Sequence, residues 1–161
     1  MKKVLAILLC FMAFLALAGC KAEKDSFLIE DLGIEVKMRP GKQANVAHEN
    51  NAMLISNAEN GNTLGVISVE IIEGKNIHEI YDAYIAGGAG EITKTELSDN
   101  LIFVDILNEV YSEVLGNSVD KMYCFIFYDE STGAVLYGRF FEDNERDYVI
   151  GLAKSIEVVK T

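Results

Sequence analysis

Three groups of side chains have the types and spacing for chemistry, and each must be weighed against a plainer role. Gly87-Gly88-Ala89-Gly90 has the composition of a phosphate cradle. Such loops work when the amides of a following helix N-terminus point at the anion. Here the glycines follow a helical stretch and precede a strand, so helix termination and turning account for them. Glu142-Asp143-Asn144-Glu145-Arg146-Asp147 offers oxygens to a hard cation. A calcium loop needs alternating ligands, a glycine at its sharp turn and a later bidentate Glu. Tyr148 stands sixth from Asp143 and Arg146 intrudes a positive charge, while acids at a helix start are favoured by the helix dipole alone. His48 and His78 lack a partner at a ligand spacing such as His-x-x-x-His. No Gly-x-Ser-x-Gly nucleophile elbow occurs. No metal ligand and no catalytic residue is assigned.

The thiol with the most informative neighbours is Cys20. Lys2 and Lys3 form a positive start, Val4 to Ala18 is an unbroken run of small and apolar residues, and Leu17-Ala18-Gly19-Cys20 closes it. Polar Lys21-Ala22-Glu23-Lys24-Asp25 follows at once. The run is too short and too abruptly ended for a membrane span, and it has the order of a secretory signal peptide. Cys10 lies inside the apolar run and lacks this context. The Leu-Ala-Gly-Cys ending resembles the lipobox of bacterial lipoproteins. The resemblance implies cleavage between Gly19 and Cys20 and a diacylglycerol on the Cys20 thiol, the only prosthetic group expected. Each buried methylene contributes about 0.8 kcal/mol, so two or more acyl chains hold a protein stably on a bilayer. The expected location is the cell membrane or outer membrane, facing the periplasm or exterior. Lys21 stands where some inner-membrane lipoproteins carry Asp, which favours outer-membrane delivery in a two-membrane cell.

Composition narrows the partners. The chain carries 14 Lys and Arg against 25 Asp and Glu, a net charge of −11, and removal of residues 1–19 takes away two lysines and no acids. Such a surface repels phosphate backbones and anionic headgroups, which argues against nucleic acid and against polybasic membrane docking. Cleavage would discard Cys10 and acylation would consume Cys20, leaving Cys124 without a disulfide partner. It lies in Met122-Tyr123-Cys124-Phe125-Ile126-Phe127-Tyr128 and reads as a buried, inert thiol.

The elements that must position these residues follow from periodicity. Ile34, Val36 and Met38 alternate with Glu35, Lys37 and Arg39, the period of a half-buried strand, and Pro40-Gly41 turns the chain. Strands are expected around 43–48 and 52–57. Asn60-Gly61 signals a hairpin into a long strand, 63–72. Asn76 and Glu79 have capping-box spacing ahead of Ile77, Ile80, Tyr81, Tyr84 and Ile85, one apolar helical stripe. A second helix is expected from near Asn144, with Tyr148, Val149, Leu152, Ala153 and Ile156 on one face, and a conversion of Ser155 to Val159 to a final strand is the further reading. Two readings compete over 105–115. Ile106, Leu107, Val110, Tyr111, Val114 and Leu115 have helical spacing, whereas Leu101–Val104 reads as strand and Gly116-Asn117 suits a hairpin turn into Val119–Tyr128. The hairpin reading is preferred. Residues 122–128 are apolar on both faces and should form a central strand covered on each side.

This order predicts an α+β fold, an antiparallel sheet with helices packed on it. Residues 1–19 are the signal, 20–26 the lipidated anchor and tether, and 27–161 one domain. The opening Gly33-Ile34-Glu35-Val36-Lys37-Met38-Arg39-Pro40, the stretch Ile77 to Gly87 followed by Gly90-Glu91-Ile92, and the ending Ala153-Lys154-Ser155-Ile156-Glu157-Val158-Val159 resemble the PsbP-like family. That resemblance implies an α/β/α sandwich and accessory or binding roles. The expected function is a membrane-anchored, non-enzymatic binding or accessory domain that presents a sheet edge or loop surface to an envelope protein. A small-molecule or cation-binding module is the alternative, and an envelope hydrolase the third reading.

Overall fold

Turn chemistry and alternation place most strands where the sequence calls for them. The computed structural model describes residues 25–41, 44–86, 90–112, 117–141 and 146–161, and the side chains of 108–120 stand outside that description. The order is β1 (Asp25–Ile29), a 3-10 turn (Glu30–Leu32), β2 (Ile34–Met38), β3 (Ala44–Glu49), β4 (Ala52–Asn57) and β5 (Thr63–Ile71). Then come α1 (Ile77–Ile85), β6 (Glu91–Ser98), β7 (Leu101–Ser112), β8 (Asn117–Asp129), β9 (Ala134–Phe141), α2 (Arg146–Lys154) and β10 (Glu157–Lys160). Seven strands form one sheet in the order β3-β4-β5-β9-β8-β7-β6, and β1-β2-β10 form a second. All pairs are antiparallel.

The disputed segment is strand as far as Ser112, and residues 113–116, with the expected turn at Gly116, lie outside the described residues. Val110 pairs with Val119 and Ser112 with Asn117, so β7 and β8 make a long hairpin with a register shift between Leu107 and Val110. The apolar run of β8 lies between β9 and β7 and feeds two cores. Tyr123, Phe125 and Phe127 face one cluster with β2, β5 and α2, while Met122, Cys124 and Ile126 face another with Ile77, Ile80 and Tyr81 of α1. Double-faced burial is what an uninterrupted apolar strand demands.

The expected α+β class, with its α/β/α sandwich, is overturned. The described residues are mostly strand, in two antiparallel sheets, and contain only two α-helices of nine residues each. The larger core is closed in good part by a second sheet, through Ile29, Ile34, Val36 and Met38, where a helical layer was expected. The reason is non-local. β2 acquires β1 on one edge and β10, from the end of the chain, on the other, a partnership no local period encodes.

Two glycines set how closely the core packs. Gly138 of β9 stands opposite Phe125, and Gly65 of β5 stands opposite Phe140. A Cβ on Gly138 would lie about 2.5 Å from Cδ1 and Cζ of Phe125, and one on Gly65 would lie about 2.5 Å from Cδ1 of Phe140. Each ring therefore lies flat over the glycine of the neighbouring strand, the two rings stack at 6.1 Å, and both are fully buried.

The two ends of the molecule differ. Asp25 pairs with Met38, and two residues further on the Pro40 carbonyl accepts a hydrogen bond of 3.0 Å from Tyr148 Oη. The Tyr148 ring meets Phe140 edge-on, close to where β9 finishes. At the other end of β2, Ile34 pairs with Lys160, which lines a hollow with Glu73 and Gly133 near the start of α1. The described chain thus enters at the end remote from the α1 N-terminus. Arg146 closes the entry end, its guanidinium holding the Asp105 carboxylate through Nε at 3.1 Å and Nη2 at 3.2 Å and lying 4.8 Å from the Phe103 ring centre.

Candidate functional site

A hollow at the α1 end is built from three turns. Asn76 caps the helix, its Oδ1 accepting from the amides of His78 and Glu79 at 3.0 Å each while Glu79 Oε2 accepts from the Asn76 amide at 2.9 Å. The sequence spacing predicts this reciprocal box. Asp129 organises the β8–β9 turn, accepting from the Thr132 amide at 3.0 Å, Thr132 Oγ1 at 2.6 Å and Ser131 Oγ at 2.7 Å. The β6–β7 turn is held by the Tyr128 amide, which donates to the Asn100 carbonyl at 2.9 Å. Between them is a cleft of about 690 Å³ lined by Lys75, Asn76, Asp99, Tyr128 and Glu130, sharing residues with a hollow of about 590 Å³ beside Glu73, Gly133 and Lys160.

The lining of the cleft combines the Lys75 ammonium, the carboxylates of Asp99 and Glu130 and the side chains of Ile77 and Tyr128. Ser131 and Thr132 donate their hydroxyls to the Asp129 carboxylate, and neither has a histidine partner among these bonds. Among the described residues, no three His, Cys, Asp or Glu side chains gather as a metal-binding group. No helix among them is long and apolar enough to cross a membrane.

His78 lines the cleft, but its Nδ1 lies 3.2 Å from Lys94 Nζ and 3.7 Å from Glu96 Oε1 at the α1–β6 surface. Lys94 bonds Glu96 at 2.8 Å, sits 4.7 Å from the Tyr81 ring centre, and holds the Glu96 carboxyl below its ordinary range. His48 is far away on β3, its ring 6.5 Å from Phe27. The two histidines are not brought together. Arg146 binds Asp105. Gly19, Cys20, Gly87-Gly88-Ala89 and Glu142 to Glu145 lie outside the described residues.

One spacing of a nucleophile motif does occur, Ser118-Val119-Asp120-Lys121, and it falls within β8. Ser-x-x-Lys chemistry places both residues on one side of a helical turn, and this spacing falls on a strand.

Beneath α1 is a cluster that spacing does not reveal. Cys124 is fully buried, and burial pushes its thiol up to about 11, with the Tyr84 hydroxyl and the Arg139 charge acting in the opposite direction. Burial, and then Cys124, raise the Tyr84 hydroxyl well above its usual range. Arg139 Nε donates to Tyr84 Oη at 3.1 Å, and the Tyr84 ring stacks on Tyr137 at 5.2 Å. A thiol so shielded and so weakly acidic is a packing group, in keeping with the inert role read from its apolar surroundings. Compared with known proteins, the chain matches no family model, and no curated protein matches it.

Proposed function

We propose that this chain is a bacterial lipoprotein: residues 1–19 direct export, cleavage follows Gly19, and a diacylglycerol on Cys20 anchors a non-enzymatic binding or accessory domain in the cell envelope. The observation that carries the anchor is Leu17-Ala18-Gly19-Cys20 behind a charged start and an apolar run. The domain's own geometry fits such use. Its first strand begins at Asp25, at the end remote from the cleft, and residues 20–24 extend at most about 17 Å. An anchor on Cys20 would hold the entry end close to the bilayer and leave the cleft pointing away from it, open to a soluble envelope partner.

Cys20→Ser tests the anchor. Incorporation of labelled palmitate and retention in the membrane fraction should both be lost, and unchanged retention would reject the assignment. For the binding role, a photo-crosslinker in place of Ser131, at the cleft rim, should yield one specific adduct in intact cells. The same probe in place of Asn60, in the turn before β5, should not. Equal, unspecific adducts from both positions would remove the cleft from consideration.

A further inference from the structure

We propose that the cleft beside α1 binds a lysine-bearing segment of a soluble protein, whose ammonium groups meet Asp99, Glu130 and Glu73 and the hydroxyl of Tyr128. The proposal rests on the reading of the cleft as the domain's binding surface, and it names the chemistry of the partner.

Tyr128 is the group that points to a ligand. Its side chain is only 9% exposed, belongs to the core beneath α1 with Ile77, Ile80 and Tyr81, and lines both hollows. Its hydroxyl has no hydrogen-bond partner among the described residues. No sealed side-chain oxygen or nitrogen among them goes unsatisfied, so the Tyr128 oxygen must open into the cleft. A ring held so firmly presents one fixed polar atom that can accept as well as donate.

The charges around it are of one prevailing sign. Asp99 lines the first hollow, Glu73 the second and Glu130 both. None of the three has an ion-pair or hydrogen-bond partner among the described residues, although Lys75 and Lys160 stand in the same lining. With Glu79 and Asp129, which hold the start of α1 and the β8–β9 turn, five carboxylates face two lysines. A chain of net charge −11 also draws cationic partners toward it. An ammonium has three donors and no acceptor, so one lysine can share itself between the Tyr128 oxygen and a carboxylate while its stem lies on the ring.

A peptide fits better than a small amine. Small-molecule pockets are lined mostly by apolar side chains. Here Ile77 and Tyr128 are the hydrophobic members of the first lining, and Tyr128 is the one in the second. Because the hollows share Tyr128 and Glu130, successive basic side chains along one segment would each find a carboxylate.

Calorimetric titration of the full chain in mild detergent with acetyl-Lys-Ala-Lys-Ala-Lys-amide should show saturable binding of one peptide per chain, and the glutamate counterpart should not bind. Asp99→Asn and Glu130→Gln should each weaken binding about threefold. Tyr128→Phe, which removes the hydroxyl and keeps the ring, should weaken it about fivefold. Glu59→Gln, an exposed acid in the β4–β5 turn, should leave it unchanged, and circular dichroism must show all four variants folded. Absent saturation, equal weakening by Glu59→Gln, or indifference to Tyr128→Phe would overturn the proposal. So would tighter binding of spermidine than of the peptide, which would assign the cleft to a small amine. A specific adduct from the Ser131 photo-crosslinker without peptide binding would overturn the basic partner alone, whereas equal adducts from Ser131 and Asn60 would remove the cleft itself.

Discussion

Replacing Gly138 by alanine adds one methyl group to a position where the core has no room for it. In a strand interior the exchange should help, because glycine there costs roughly 0.5–1 kcal/mol relative to alanine through backbone entropy. The neighbour decides otherwise. The new Cβ would stand about 2.5 Å from ring carbons of Phe125, a fully buried side chain itself stacked on the fully buried Phe140. Real Cβ atoms do not come so close, and a rigid ring walled in by another ring cannot swing aside cheaply. Overpacking of this kind costs about 1–3 kcal/mol, so the net effect is a loss of about 1–2 kcal/mol. In a domain of this size that lowers the melting temperature by about 3–8 °C. Urea unfolding of Gly138→Ala, Phe125→Leu and the pair supplies the test. Phe125→Leu removes the ring that collides, so the double variant should be more stable than the sum of the single losses by about 1 kcal/mol. A stabilised Gly138→Ala, or strict additivity of the two changes, would refute the idea that Phe125 packs on the glycine surface.

Asn76→Ala removes both the side-chain acceptor and the reciprocal box at the start of α1 and should cost about 1 kcal/mol by chemical unfolding. Asn76→Asp should retain most of that stability. Arg146→Lys should not substitute for the two-pronged grip on Asp105, and because Arg146 is 41% exposed the loss should stay near 0.5–1 kcal/mol. Cys124 predicts an alkaline limit. Its folded pKa, about 11, lies above the ordinary value of 9.0, so the unfolded chain loses this proton first as pH rises. Its contribution is complete below pH 9 and falls away through pH 11. Cys124→Ala should flatten the urea-midpoint profile over that range, with a residual slope from Tyr84, Tyr137 and Tyr148, whose hydroxyls burial shifts in the same direction.

The elements that the sequence determines by itself are those whose signals are local. Asn76 and Glu79 mark the start of α1 because a capping box closes within four residues, and Ile34, Val36 and Met38 declare β2 because strand period is a nearest-neighbour property. The apolar run of β8 forecasts a strand buried on both faces, and β8 is one. The resemblance of Leu17-Ala18-Gly19-Cys20 to a lipobox is likewise carried by one stretch of chain, and the proposed anchor rests on it. Layers are a different matter. The α+β expectation failed because counting two amphipathic helices says nothing of how much sheet they cover, and because β10 returns to β2 from the far end of the chain. The flat Phe125 and Phe140 rings needed glycines supplied by neighbouring strands. The cleft needed three turns, at 73–76, 99–100 and 129–133, brought to one end of the sheet. Cys124, Tyr84 and Arg139 meet only because β8 and β9 pair beneath α1. Periodicity and caps are properties of adjacent residues and travel with the sequence, whereas register, layer and cavity are set by which distant strands exclude water together, and only the folded chain decides that.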